Sequence, residues 1–209
     1  MLTTGRVCYH FFRGPINTFC GTSVIEVKES SSMNDNQLVR ECLRGDVEEF
    51  RKIVEKYRGK AMAMALNILG NKEDAEDACQ ETFLQTYRNL DRFDIGKSFS
   101  NWLLSILYKR CMDQLRKRRR FFVFYKKAKH EAEGVIRSPA LNPSTQNPHL
   151  HTLLERLSPK ERSSIYLWAS EGYTSKEIAE VLKCSPNTAR IHLHKARKKI
   201  KSLLEKENA

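Results

Sequence analysis

The sequence predicts an all-α protein: two small helical domains joined by a flexible linker, the C-terminal one carrying a helix-turn-helix. Three observations predict it. Apolar residues recur at helical spacing through 35–120 and again through 149–206. N-capping residues and glycines punctuate both stretches. Between them, 121–148 gathers Pro139, Pro143 and Pro148 among Ser, Asn and Gln, a composition that ends regular structure and favours an extended tether.

Composition narrows the class. The 209 residues are 40% hydrophobic and 30% charged, as expected of a soluble, helix-rich globular chain. The formal charge of +12, from 37 basic and 25 acidic residues, points to a polyanionic partner. No run of eighteen apolar residues exists, so no transmembrane helix is expected. The cysteines at 8, 20, 42, 79, 111 and 184 form no C-x-x-C pair and lie near no histidine at zinc-ligand spacing. They read as reduced thiols used as small hydrophobes, with no metal and no cofactor.

Residues 1–32 show no periodicity, and Arg13, Gly14 and Pro15 break their apolar stretch. They read as a disordered leader or as sequence upstream of the true start. Lys28-Glu29 can be encoded by a ribosome-binding sequence, and three serines then give a spacer of about nine nucleotides before Met33. Met33 is therefore the expected start, and intact-mass measurement of the native protein tests this.

The elements follow in order. Asp46 and Glu49 read as a capping box opening a helix with Phe50, Ile53, Val54, Tyr57, Ala61, Ala65 and Ile68 on one side. Gly70 ends it, and Asn71 caps the next helix, whose apolar side is Ala75, Ala78, Cys79, Thr82, Phe83, Tyr87 and Leu90. Asp91 to Lys97 is a loop. Ser98 or Ser100 caps a helix from Phe99 to about Arg120. In the second block, Ser158-Pro159-Lys160-Glu161 and Thr174-Ser175-Lys176-Glu177 are helix starts, and Ser185-Pro186 begins a third helix reaching about Leu204.

The last two helices carry the sharpest signal. Ile178, Ala179 and Leu182 face inward, Lys183-Cys184 is a sharp turn, and Ala189, Leu193, Ala196 and Ile200 form the inner stripe of the final helix. Its outer face offers Asn187, Thr188, Arg190, Ile191, His194, Lys195, Arg197 and Lys198. Residues 174–201 hold eight basic and two acidic residues. The N-terminal part of such a helix enters the major groove, where Arg and Lys read guanine and Asn reads adenine. Arg197, Lys198, Lys199 and Lys201 lie further along, suited to phosphates.

Charge divides the first block too. Residues 73–94 hold seven acidic and two basic residues, with Asp74, Asp77, Gln80 and Glu81 clustered away from the apolar side. Tyr108 to Arg120 has Lys109, Arg110, Arg116, Lys117, Arg118, Arg119 and Arg120 against Asp113 alone, a face for phosphates.

Asp74-Ala75-Glu76-Asp77-Ala78-Cys79-Gln80-Glu81-Thr82-Phe83 resembles the polymerase-binding helix of the sigma-70-type RNA polymerase sigma factors. Phe99-Ser100-Asn101-Trp102-Leu103 with Asp113-Gln114-Leu115-Arg116 resembles the next part of that domain. Leu157-Ser158-Pro159-Lys160-Glu161-Arg162, Glu171-Gly172-Tyr173-Thr174-Ser175-Lys176-Glu177-Ile178-Ala179 and His194-Lys195-Ala196-Arg197-Lys198-Lys199 resemble its C-terminal domain. With no third domain between, the resemblance is to the extracytoplasmic-function (ECF) branch.

The resemblance implies a promoter-specific initiation factor and not an enzyme. It implies that 35–120 binds the beta-prime coiled coil of core RNA polymerase through Asp74, Asp77, Gln80 and Glu81. The same domain would melt the minus-ten element with Phe99, Asn101, Trp102, Lys109, Arg110, Arg116 and Lys117, capturing a flipped base in the loop 94–101. Residues 149–206 would read the minus-thirty-five element through Asn187, Thr188, Arg190, Ile191, His194, Lys195, Arg197 and Lys198, near the beta flap. An anti-sigma factor and a cytoplasmic location are further implications. Ile191 and Pro186 depart from the family's usual residues, which bears on the promoter sequence read. The rival reading is a stand-alone helix-turn-helix regulator, which explains 174–201 but not the acidic helix. An enzyme acting on nucleic acid would need a phosphate-cradling glycine loop, a metal cluster or an activated nucleophile, and the sequence offers none.

Overall fold

The structure, a computed structural model, describes residues 34–128 and 156–207. The leader, Met33, the linker beyond residue 128, Cys8, Cys20 and the expected start of the second block near His149 lie outside the described residues. Seven α-helices make up the described fold, with no strand among them. They are α1 (Asp35–Leu43), α2 (Val47–Leu69), α3 (Lys72–Arg88), α4 (Phe99–Ala128), α5 (Pro159–Glu171), α6 (Ser175–Leu182) and α7 (Pro186–Glu207). A short 3-10 turn, Leu90–Arg92, joins α3 to α4. None of these helices is long and apolar enough to cross a membrane.

Local chemistry sets most helix ends. The Asn71 side chain accepts from the Asp74 amide at 2.8 Å and opens α3. Ser158 and Glu161 form a reciprocal capping box on α5, and Thr174 and Glu177 form one on α6. Gly70 (φ 78°) and Gly172 (φ 68°) close α2 and α5 in the left-handed region.

Two expected boundaries differ. Asp46 caps α2 through the Glu48 amide at 3.0 Å, but Glu49 does not return to it. Its carboxylate sits 2.5 Å from the Lys52 ammonium instead, so there is no capping box. Helix α4 does not end near Arg120 but runs to Ala128, eight residues into the stretch read as linker. Nothing from Phe121 to Ala128 is a glycine or proline, so nothing breaks the helix there.

The core is continuous across both blocks. Phe50, Ile53, Met64, Ile68, Phe83, Phe99, Leu103 and Leu107 of the first block join Leu167, Ile178, Val181, Leu182 and Ala189 of the second in one buried cluster. Helix α4 packs on α3, α2 and α6, while α2 also meets α5. Buried Arg162 of α5 donates to the Ile68 carbonyl at 3.2 Å, placing a cation at the C-terminal end of α2, where the helix dipole favours it.

Candidate nucleic-acid interface

Helix α7 is positioned by the turn before it. Lys183 adopts φ 50°, and the Cys184 amide donates to the Ala179 carbonyl at 3.0 Å, which bends the chain sharply after α6. Ser185 then caps α7 through the Thr188 amide at 3.1 Å. Ala189, Leu193 and Ala196 are buried against the bundle, as their spacing predicts. Asn187, Arg190, Ile191, His194, Lys195, Arg197 and Lys198 are exposed. Ile191 keeps 45% of its surface in water, an apolar contact point on a basic stripe.

Not every expected group on α7 is equally available. The half-buried Thr188 hydroxyl lies 2.8 Å from the Ser185 hydroxyl, so it belongs to the cap. Arg197 stacks over the exposed Trp168 ring at 3.8 Å, a cation–π contact holding α7 to α5. Lys199 reaches Glu161 at 2.7 Å, which turns it from a phosphate position into a structural ion pair. His192 sits on the inner side, where burial, with Lys160 and Lys195 adding to it, lowers its pKa and favours the neutral ring.

The minus-ten candidates divide. Phe99 is 2% exposed and packs in an aromatic cluster with Tyr57, Phe93 and Trp102, at ring-centroid distances of 5.6, 5.2 and 5.7 Å. It stands in the core, with its ring between Tyr57 of α2 and Phe93 of the loop before α4. Trp102 is half-buried at the edge of that cluster. The loop 94–101 is held by Asp94, which accepts from the Gly96 amide at 3.0 Å and meets Lys97 at 3.2 Å. Those contacts, the Gly96 amide first, keep the Asp94 carboxyl below its ordinary range. Ser98, not Ser100, caps α4 through the Asn101 amide at 3.2 Å.

Lys109, Arg116 and Lys117 are exposed on α4. Arg110, Arg116, Lys117, Arg119 and Arg120 line an open groove of about 540 Å³ together with Asp113. A groove of this charge suits a phosphate backbone.

On α3, Asp77 is exposed while Asp74, Gln80 and Glu81 are half-buried. Asp74 is bound by the Asn71 amide group at 2.7 Å and by Arg118. Glu81 pairs with Arg110 at 3.2 Å, and Arg110 also donates to Gln85 at 2.9 Å. These cross-helix pairs, missed in the sequence, had a signal. The acids are seven residues apart on α3 and the bases eight apart on α4, two turns on each of two antiparallel helices. Among the described residues, no group of three His, Cys, Asp or Glu side chains is placed to hold a metal ion.

The last contact lies between the blocks. The Asn101 side-chain amide donates to Glu180 of α6 at 2.6 Å, and the Ser100 and Tyr173 hydroxyls are 2.8 Å apart. Lys60 of α2 meets Glu171 at 2.6 Å and lies 5.2 Å from the Tyr173 ring centre. Burial works against the Lys60 charge, but Glu171 and Tyr173 outweigh it and raise its pKa.

Known proteins carry the same patterns. The family model for Sigma-70 region 2 matches residues 53–121, and that for Sigma-70, region 4 matches 149–200. The chain is 28% identical over 176 residues to the ECF RNA polymerase sigma factor SigW of Bacillus subtilis (strain 168), covering 79% of this chain and 94% of that protein. It is 30% identical over 177 residues to the RNA polymerase sigma factor NccH of Alcaligenes xylosoxydans xylosoxydans, covering 82% and 95%. Among solved structures it is similar to the sigma factor RpoE of Bartonella quintana in complex with the anti-sigma factor NepR. That match has 25% identity and a TM-score of 0.62, over 76% of this chain and 98% of that one. It is also similar to CnrH in complex with the cytosolic domain of CnrY, with 26% identity and a TM-score of 0.60, over 82% and 97%.

Proposed function

The chain belongs to the extracytoplasmic-function group of the sigma-70 RNA polymerase sigma factors, and on that premise we propose how its surfaces divide the work of initiation. As a member it binds core RNA polymerase and directs promoter-specific transcription initiation. The family consists of initiation factors rather than enzymes.

The acidic face of α3, with Asp77, Gln80 and Glu81, is the polymerase contact, against the beta-prime coiled coil. Asp74 supports that face from the α3 N-terminus. Asn101 and Trp102 take the unpaired strand of the minus-ten element. Lys109, Arg110, Arg116 and Lys117 hold its phosphates. Asn187, Arg190, Ile191, His194, Lys195 and Lys198 of α7 read the minus-thirty-five duplex, while the second domain also meets the beta flap. An anti-sigma partner holds the protein inactive, in keeping with a structural neighbour bound to an anti-sigma factor. The work on genomic DNA is cytoplasmic.

One observation carries this reading: an acidic helix face and a basic helix-turn-helix face stand on one small fold. Acidic α3 repels DNA, so it serves a protein, while basic α7 serves the duplex. A lone helix-turn-helix regulator leaves the α3 face without a task. Transcription of fragmented genomic DNA by core RNA polymerase, with and without the protein, tests the assignment. Discrete new transcripts only with both present support it. Sequence-specific DNA binding by the protein alone, without transcripts, turns the reading toward the regulator.

A further inference from the structure

Helix α4 continues beyond its basic stretch into exposed aromatic rings that none of the surfaces assigned above uses. Phe121 keeps 71% of its surface in water, and Tyr125, one turn on, keeps 42%. Their rings lie near-parallel, tilted by 21°, with centroids 6.4 Å apart. Lys117, Phe121 and Tyr125 follow one another at four-residue spacing, so they share one face of the helix. Through Lys117 that face joins the open groove lined by Arg116, Arg119 and Arg120. Asp113 pairs with Arg116 at 3.3 Å, and the exposed Lys117, Arg119 and Arg120 dominate the remaining charge.

A ring left in water to this extent contributes little to the fold. Cations beside flat rings are the two parts of a site for unpaired nucleic acid. The charges follow the phosphates, and the rings stack bases, each of which has a π face. Four residues of helix rise about 6 Å, so each ring meets a separate base. A duplex keeps its base faces inside its own stack and offers the rings nothing. Two features favour a strand over a lipid surface. Near-parallel rings suit stacked bases, whereas burial in a bilayer requires no mutual alignment. The other exposed apolar side chain of this turn, Val123 at 48%, stands two positions from Phe121, on the far side of the helix. The apolar area therefore does not form the single face that lies on a membrane.

We propose that Phe121 and Tyr125 form a base-stacking platform at the end of the basic groove of α4, which takes bases of an unpaired DNA strand while the groove holds its phosphates. The proposal rests on the sigma-factor reading only for which strand is meant, since that reading puts the minus-ten phosphates on Lys109, Arg110, Arg116 and Lys117. About 30 Å of helix separates Trp102 from Phe121, so the platform is a second base site, remote from the one assigned to Asn101 and Trp102. Both rings are open to solvent with the helices packed as they stand, and binding there needs no rearrangement.

The test uses the full chain without polymerase, at low salt, and a fluorescein-labelled oligo-dT strand of about twelve nucleotides. Phe121→Ala should bind it about tenfold more weakly than wild type, the loss of one stacked base. Phe121→Trp should bind at least as tightly as wild type. Phe121→Leu, apolar but without a π face, should match Phe121→Ala. On a strand of the same length with abasic sugars in place of its nucleosides, all four proteins should bind alike, because only phosphates remain. Equal binding of oligo-dT by wild type and Phe121→Ala overturns the platform, and so does a wild type that does not bind the strand. An equal loss on the abasic strand overturns it too, since the ring would then serve the phosphates or the fold. Capture of wild type but not Phe121→Ala by phosphatidylglycerol–phosphatidylcholine vesicles, with no difference on the strand, gives the rings to a lipid surface instead. Because no readout involves polymerase, failure of the transcription assay is a separate result, against the sigma-factor reading.

Discussion

Lys199 of α7 and Glu161 of α5 are 2.7 Å apart, and the same Glu161 carboxylate accepts from the Ser158 amide at 2.8 Å. One buried acid thus closes the α5 cap and ties the far half of the recognition helix to the bundle. Burial opposes the Glu161 charge, but Lys199 and Ser158 outweigh it and hold the carboxyl below its ordinary range. Since the folded value lies below the unfolded one, near 4.3, the stabilisation is whole above that pH and is lost as pH falls through the folded value. Glu161→Ala should cost roughly 2 kcal/mol at pH 7, through the lost cap and the broken pair. Chemical denaturation from pH 7 downward should show the gap between wild type and variant closing in acid. Lys199→Ala should leave the salt dependence of DNA binding unchanged, because that ammonium already has its anion.

Asp77 and Gln80 lie on α3 away from the α4 ion pairs, so their substitution tests the polymerase face without disturbing the fold. Asp77→Ala with Gln80→Ala should weaken core polymerase binding by about 1–3 kcal/mol, in the range of a good interface contact. Thermal unfolding should be unchanged. Glu81→Ala releases Arg110 as well, so it should both weaken polymerase binding and raise affinity for nucleic acid at low salt. Surface plasmon resonance on immobilised core enzyme separates the two effects.

On α7 the sequence of side chains separates choice from affinity. Arg190, early on the exposed face, should discriminate between bases, and Arg190→Ala should cost about 1–3 kcal/mol on the preferred minus-thirty-five site and little on others. Lys198→Ala, two turns later, should weaken all duplexes alike and lower the salt slope by about one. Duplex titrations at several salt concentrations measure both. Equal losses on every sequence for Arg190→Ala would remove it from base reading.

Helix starts and the outer face of α7 were legible because their signals are local. A cap is decided within three residues, as at Ser158–Glu161 and Thr174–Glu177, and an exposed stripe repeats at the helical period. Phe99, Asn101 and Trp102 share one turn at a helix start, where periodicity does not yet separate inside from outside, and the structure buries the Phe99 ring while leaving Trp102 half-exposed. Helix α4 outran its expected end because the aromatic run Phe121 to Tyr125 changes composition without breaking the backbone. Asn101–Glu180 and Arg162–Ile68 join residues 79 and 94 positions apart, across a segment whose path no local rule encodes.

Two helix ends share the same left-handed turn with different residues. Gly172 ends α5 at φ 68°, and Lys183 ends α6 at φ 50°. A Cβ built at Gly172 meets nothing within 4 Å, so crowding is no obstacle there and backbone strain alone decides the outcome. Gly172→Ala should cost about 1 kcal/mol, the usual penalty for a side chain in this region. At Lys183 the strain is already present, so Lys183→Gly relieves it. That gain is offset by about 0.4–1 kcal/mol of extra freedom in the unfolded chain, leaving a net change near zero. Lys183→Val adds β-branching in a region it resists and should destabilise. Thermal unfolding orders the variants, with Gly172→Ala and Lys183→Val below wild type and Lys183→Gly level with it. A Gly172→Ala protein as stable as wild type would mean that the turn between α5 and α6 relaxes to negative φ, which the hydrogen bond donated by the Tyr173 amide to the Leu167 carbonyl at 3.0 Å opposes.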